Sequence, residues 1–349
     1  MRNRTAPFIR RALASGAALA ALAAPLALAA PASAAPAPAP YAAAYTAQAR
    51  AAVADVQAVR DADGTYRLTW TSTLPGRPVR VYASTDPRLR PSGRRPVTVT
   101  TDGSVSVRGL DPLARWYFAV QPAGGTGTST AVRAVALDGV TNSRDLGGYP
   151  AGDGLRTKWG TVFRSARLTP ATETGKRQLA ALGLTEVVDL RSTAETAREG
   201  LDPLPDTTAH IADPVGDPDQ AVPPSFPPSG DPIADNYRLF VTNPNLRAQF
   251  ADGLRRAADG AQRPLMFHCT GGNHRTGWMS VVLLEALGVP DATVRQDYLL
   301  SPNTSDAYLD AAFDQVVRDY GSFSGYLSQG LGITPDTLAA LRSALLERA

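Results

Sequence analysis

The stretch 264–287, PLMFHCTGGNHRTGWMSVVLLEAL, limits what this chain can fold into more than any other. Its opening PLMFH (264–268) reads as a short buried strand, and RTGWMSVVLLEAL (275–287) as a helix that is apolar on nearly every face. A helix of that kind belongs at the centre of a core, and Gly288 and Pro290 end it. Between strand and helix lies a loop rich in glycine, and it begins at the only cysteine in 349 residues.

Strand and helix alternate on both sides of this unit. TEVVDL (185–190) reads as a buried strand and NLRAQFADGLRRAA (245–258) as a helix. TPATETGKRQLAAL (169–182) predicts a helix with Thr169 as N-cap, Pro170 at its first position and a stop before Gly183. Two more helices are expected near 304–320 and 334–348, the second starting at Thr334-Pro335. This pattern predicts an α/β domain over 139–349, a sheet covered by helices. The segment 203–233 interrupts it, being too rich in proline for regular structure, and is expected to be a loop over a site.

Residues 49–138 have a different texture. TYRLTW, PVRVYAS, PVTVTT, SVSVRGL, RWYFAVQP and TAVRAVAL (130–137) alternate with period two, separated by turn formers such as Asp63-Gly64 and Asp102-Gly103. The expected fold is an antiparallel β-sandwich, which makes the chain multi-domain. Trp70 in an early strand and LDPLARWYFAV before a late one resemble a fibronectin type III module. That family places Leu-x-Pro-x-x-x-Tyr at this corner. Leu110 and Pro112 fit, but Trp116 stands where the tyrosine would, so the corner is expected to close by packing. A spacer or weak binding module is the role this resemblance implies.

The first 34 residues carry Arg2, Arg4, Arg10 and Arg11, no acid, an alanine-rich apolar run and an Ala32-Ser33-Ala34 end. This reads as a secretory signal peptide, followed by an Ala/Pro-rich leader over 35–48, and predicts a secreted protein. Removing those four arginines takes the basic count from 35 to 31 against 32 acids, so the mature chain is close to neutral. Nothing in that balance points to nucleic acid or to a membrane surface. A lone cysteine in an exported chain has no internal disulfide partner, so it is either an inert core residue or a reactive one.

The strand-to-helix junction favours reactivity. Unpaired N–H groups of a first helical turn, together with the amides of a Gly-rich loop, form a cradle for anions. Such a field also stabilises a thiolate, the nucleophilic form of cysteine. Arg275, six positions after Cys269, carries a planar fork suited to two oxygens of one phosphate. Nucleophile, amide cradle and guanidinium together suit attack on phosphorus.

This arrangement resembles the Cys-x5-Arg phosphatase superfamily, and GVTNSRDLGGYPAGDGLRTKWGTVFRSARL (139–168) with LGLTEVVDLRSTAE (182–195) narrows it to the bacterial tyrosine/serine protein phosphatase family. Its motif Asn-x-Arg-Asp-Leu-Gly-Gly is matched by Asn142 to Gly148, in which Asp145, Gly147 and Gly148 read as turn formers. The resemblance implies Cys269 as nucleophile and Arg275 as phosphate clamp. It also implies a cradle of Thr270, Gly271, Gly272, Asn273, His274 and Arg275. It implies hydrolysis of phosphotyrosine, and of phosphoserine in some members, through a phosphocysteine, with no cofactor and no metal. The partners would be phosphorylated proteins or small phosphoesters.

Two positions depart from the family's His-Cys-x-x-Gly-Lys-Asp-Arg. Asn273 replaces the lysine and removes a charge that would help bind multiply phosphorylated ligands. His274 replaces the aspartate, where it acts as an acid or supports the loop. Alternatives are a phosphatase of small soluble phosphates such as inositol phosphates, or a phosphate-binding protein in which these changes have ended turnover. The proton for the leaving oxygen has four candidate donors: Asp189, His274, Asp213 and Asp297.

Overall fold

The computed structural model describes residues 52–89, 91, 93–217 and 224–349. The signal peptide and the leader expected over 1–48 lie outside the described residues. No helix among the described residues is long and apolar enough to cross a membrane.

Seven strands form the N-terminal module: β1 (Val53–Arg60), β2 (Tyr66–Ser72), β3 (Val79–Ser84), β4 (Thr98–Thr100), β5 (Ser104–Val107), β6 (Tyr117–Pro122) and β7 (Thr128–Ala131). They make two antiparallel sheets, ordered β1-β2-β5 and β4-β3-β6-β7. The inward residues of the alternation, Leu68, Trp70, Val79, Val81, Phe118 and Val120, fill the space between them. β1 was not among the expected strands, and the last expected one is shorter: β7 stops at Ala131, and only Ala134 bridges onward, to Arg144. The corner is closed by more than packing. Trp116 donates its indole N–H to the Asp111 carbonyl at 2.9 Å, a bond back to the chain that corrects the expectation of contact alone.

The second region begins with β8 (Arg144–Asp145), β9 (Pro150–Ala151), β10 (Leu155–Thr157) and β11 (Val162–Ser165). Then follow α1 (Glu173–Ala181), β12 (Glu186–Asp189), α2 (Thr193–Glu199), β13 (Ala209–Ala212), α3 (Pro232–Thr242), α4 (Pro244–Ala258) and β14 (Leu265–His268). The chain ends with α5 (Arg275–Leu287), α6 (Asp291–Leu299), α7 (Asp306–Tyr320), a short α8 (Phe323–Gly325), α9 (Pro335–Leu345) and β15 (Leu346–Arg348). The central sheet runs β13-β12-β14-β11-β8, parallel except for β8 at its edge. Met266, Val187 and Phe163 face α1, whereas Leu265, Phe267 and Val188 face the helices on the other side. As expected, α5 spans 275–287, is buried at eleven of its residues, and ends at Gly288 in the left-handed region.

Three expectations need correction. α1 starts at Glu173, capped by the Thr172 hydroxyl on the Gly175 amide, rather than at Thr169-Pro170. The proline-rich segment 203–233 is not uniformly irregular. Between Pro205 and Pro214 no proline intervenes, and there β13 adds to the sheet edge, while Asp231 caps α3 at its far end. The last helix stops at Leu345, because Leu346–Arg348 pair with β10.

Register decides where function can sit. Ser165, His268, Asp189 and Ala212 end their strands as mutual partners, so the segments that follow them gather along one edge of the sheet.

Candidate active site

Cys269 leaves β14 at that edge and is 3% exposed. The loop turns at Gly272, whose φ of +69° suits glycine, and a Cβ there would lie 2.5 Å from the Ser165 carbonyl oxygen. His274 then stands as N-cap without a side-chain cap, and its carbonyl accepts the first helical bond, from Trp278 N–H at 2.7 Å. None of the backbone N–H groups from Thr270 to Arg275 finds an acceptor among the described residues. Six unengaged amides leading into a helix N-terminus are what an anion cradle requires.

Arg275 is held over this loop by a residue not anticipated from the sequence. Glu195 accepts its two terminal nitrogens at 2.5 and 2.7 Å, and accepts Thr270 Oγ1 at 2.8 Å. The Leu190 and Val215 carbonyls take further bonds from the same guanidinium. Glu195 is the third residue of α2 and closes a capping box with Ser192, so Ser192-x-x-Glu195 was the available signal. Burial raises the Glu195 carboxyl, but the bonds from Arg275 outweigh it and bring it down to about 2. The guanidinium is thus oriented before any substrate arrives.

Beneath the loop lies a buried lattice. Arg164 donates to the Gly272 carbonyl at 2.5 Å and to Ser301 Oγ at 3.1 Å. Arg144 grips Asp297 through Nε at 2.9 Å and Nη2 at 3.2 Å, and Tyr149 donates to the same carboxylate at 2.7 Å. Asn142 donates to the Gly271 carbonyl at 3.1 Å and to Asn273 Oδ1 at 2.9 Å. The Asn273 amide is thereby pinned, and the loop is tied at three consecutive residues. Cys269 lies near enough to Arg164 and Arg275 to act on both electrostatically.

The four candidate acids part company here. Burial raises Asp297, but Arg144 and Arg164 overcome it and keep the carboxyl low; it serves the lattice. Burial likewise raises Asp189, yet a bond from His210 and the fork of Arg191, at 2.9 and 2.7 Å, hold it well below the usual range. A carboxylate so held is no proton donor at neutral pH. Burial and then the Arg275 charge push His274 below its ordinary 6.5, so its imidazole is neutral at pH 7 and not a histidinium. Its Nδ1 lies 3.4 Å from the Tyr237 hydroxyl, which Tyr298 in turn bonds at 2.7 Å. Asp213 differs from the others: burial, with Asp252 nearby, pushes it up to about 7, and its Oδ2 has no hydrogen-bond partner.

Asp189, Asp202 and His268 come close enough together to suggest a metal site. Arg191 already occupies it, bonding both oxygens of Asp189 and Oδ2 of Asp202. His268 Nε2 lies 2.8 Å from Asp202 Oδ2, off the line of a hydrogen bond. Arg191 fills the space between the two carboxylates, so the cluster reads as an ion-pair network behind the cysteine strand.

Beside Arg275 an open cleft of about 620 Å³ is lined by Val215, Ile233, Leu239, Phe240 and Leu246, with Asp217 and His274 at its polar side. A buried cysteine at the head of an unengaged amide loop, an oriented guanidinium and a cleft beside it fit a phosphate-ester hydrolase. Comparison with known proteins agrees. The tyrosine phosphatase family model matches residues 135–347. A Cupriavidus necator protein named as a tyrosine-protein phosphatase is 30% identical over 213 residues, covering 59% of this chain and 72% of its own. The triple specificity protein phosphatase PtpB of Mycobacterium tuberculosis is 29% identical over 248 residues, 60% of this chain and 88% of that one. Among solved structures, the Siw14 catalytic core aligns at 12% identity and a TM-score of 0.30, over 54% of this chain and 94% of that one, too remote to bear on function. The chain belongs to the tyrosine phosphatase family and is a phosphatase.

Proposed function

We propose that this phosphatase is a secreted phosphomonoesterase that cleaves phosphotyrosine through a phosphocysteine. One observation carries the reading: Cys269 opens a loop of six unengaged amides beneath an arginine already oriented by Glu195. The Cys269 sulfur, as thiolate, attacks phosphorus and forms an S–P bond as the ester P–O bond breaks. The charge gathering on the equatorial oxygens is met by the loop amides and by Arg275. The leaving oxygen needs a proton, and the donor in this proposal is Asp213, raised to about 7 by burial and two residues before the Val215 carbonyl that Arg275 bonds. Water then hydrolyses the S–P bond, with Asp213 accepting its proton, and releases phosphate and the thiolate.

The cleft supports an aryl ester, since Val215, Ile233, Leu239, Phe240 and Leu246 give it an apolar side next to the polar Asn236, Asn243 and Asp217. Neutral Asn273, tied to Asn142, offers no charge to a second phosphate, which speaks against inositol polyphosphates. Export is part of the proposal and rests on the signal peptide read over 1–34; a mature N terminus at Ala35 in culture medium tests it. So is the fibronectin III-like character of the first module, which its three- and four-stranded sheets and closed corner support. Hydrolysis of an aryl phosphate in the presence of chelator, abolished in Cys269→Ser, tests the activity. Undiminished hydrolysis by that variant would refute the assignment of the nucleophile.

A further inference from the structure

The N-terminal module is expected from its sequence to be a spacer or weak binding module, yet it packs closely against the phosphatase region. Gly160 approaches so closely that a Cβ on it would meet the Tyr117 hydroxyl at 2.6 Å and Pro87 at 2.7 Å. Tyr117, Ala131 and Trp159 form one small core across the boundary. Arg156 of β10 donates to Thr128 Oγ1, the Ser129 carbonyl and Ser129 Oγ, all within 2.8 Å.

One contact differs in kind. Asp145 is fully buried, and its carboxylate accepts the Gly147 amide at 2.8 Å, the Gly160 amide at 2.9 Å and Arg115 Nη2 at 3.0 Å. Arg115 precedes β6, its side chain is 8% exposed, and its other terminal nitrogen is fixed on the Val132 carbonyl at 2.7 Å. Asp145 therefore draws its balancing side-chain charge from the other module. Its neighbour Arg144 shares the two-residue strand β8, where successive side chains leave on opposite faces. Arg144 reaches the lattice under the phosphate loop, bonding Asp297, Ser301 and Asn142. In the sheet it stands opposite Arg164, which bonds the Gly272 carbonyl.

We propose that Arg115 is a positioning residue for the phosphate-binding loop, so that the N-terminal module completes the site. It rests on the reading of the 269–275 loop as a phosphate cradle. Removing Arg115 leaves a buried carboxylate with two amides and no counter-charge, a state that draws in water or shifts the strand. A shift of β8 moves Arg144 against Arg164 and Asn142 against Gly271 and Asn273, loosening the loop at the three residues that the lattice ties. Arg156 serves as the control, because it joins the same two modules without touching that lattice.

The test measures affinity for inorganic phosphate by calorimetry on the full chain, beside the melting temperature. Arg115→Ala is expected to weaken phosphate binding at least about fivefold, a loss of about 1 kcal/mol, whereas Arg156→Ala lowers the melting temperature and changes affinity less than twofold. Arg115→Lys, which restores a charge next to Asp145, is expected to recover part of the affinity. Should Arg115→Ala fail to fold, Asp145→Asn provides the same measurement, since it weakens the hold on Arg115 and keeps an oxygen for one of the two amides. Equal effects of the Arg115 and Arg156 variants, or unchanged affinity in Arg115→Ala, would overturn the inference. If wild-type protein binds no phosphate, the cradle reading itself falls, and this inference with it.

Discussion

Glu195 offers the sharpest test of how the site is pre-organised. Its carboxylate takes both terminal nitrogens of Arg275 and the Thr270 hydroxyl, and Glu195→Gln removes the charge while nearly preserving the shape. The drop of the carboxyl from an ordinary 4.5 to about 2 corresponds to about 3 kcal/mol of preference for the ionised form. The side chain is 21% exposed, and screening brings the expected stability loss of the glutamine variant to about 1–3 kcal/mol at pH 7. The sign follows from linkage. A carboxyl lowered on folding contributes fully above pH 4.5, and the contribution fades as pH falls toward 2. Urea unfolding at pH 7 should therefore separate wild type from variant, and the gap should close as pH drops through that window. Catalysis should fall further than stability suggests, because Arg275 loses its orientation: kcat/KM for an aryl phosphate is expected to drop about 100-fold, a loss of about 2.7 kcal/mol in the transition state. A variant with kcat/KM within twofold of wild type, or a stability gap independent of pH, would refute this account of the arginine.

Four other outcomes follow from the same geometry. The His274 ring, lowered by burial and by Arg275, should titrate below 6.5 by NMR, and a midpoint above 7 would mean that a histidinium stands in the loop. Asp213→Asn should slow cleavage of alkyl phosphates by about 100-fold or more but affect an activated aryl phosphate far less. The same substitution should lessen the loss of stability that wild type suffers as pH rises from 3.8 to about 7, because only the folded state keeps that carboxyl protonated there. Gly272→Ala forces a side chain against the Ser165 carbonyl at a φ of +69° and should cost about 1–3 kcal/mol of stability with most of the activity, whereas a neutral outcome would show that the loop turns elsewhere.

The parts of this protein that were legible in its sequence are those written locally. Period-two alternation marked six of the seven sandwich strands, and the unbroken apolar run of α5, ending at Gly288, placed the helix that carries Arg275. The relationship to the tyrosine phosphatases could be read from Asn142 to Gly148 and from the loop after His268. What stayed hidden depends on contacts between distant residues. Asp297 looked like a free acid because the two arginines that neutralise it lie 153 and 133 positions away. The capping box of Glu195 is written locally, but its pairing with Arg275, 80 positions later, is not. Trp116 lacks the tyrosine hydroxyl, but its indole N–H makes the bond back to the chain in its place. Strand β13 was masked by the prolines that flank it.

Whether phosphate becomes covalently attached to Cys269 bears most directly on the whole account. Asp213→Asn protein mixed with an aryl phosphate, quenched in acid and digested, should yield a phosphorylated peptide in which mass spectrometry places the phosphoryl group on Cys269. That adduct should be absent when Cys269→Ser protein is treated alike. Turnover by active enzyme with the label on another residue, or steady hydrolysis by the serine variant, would contradict it.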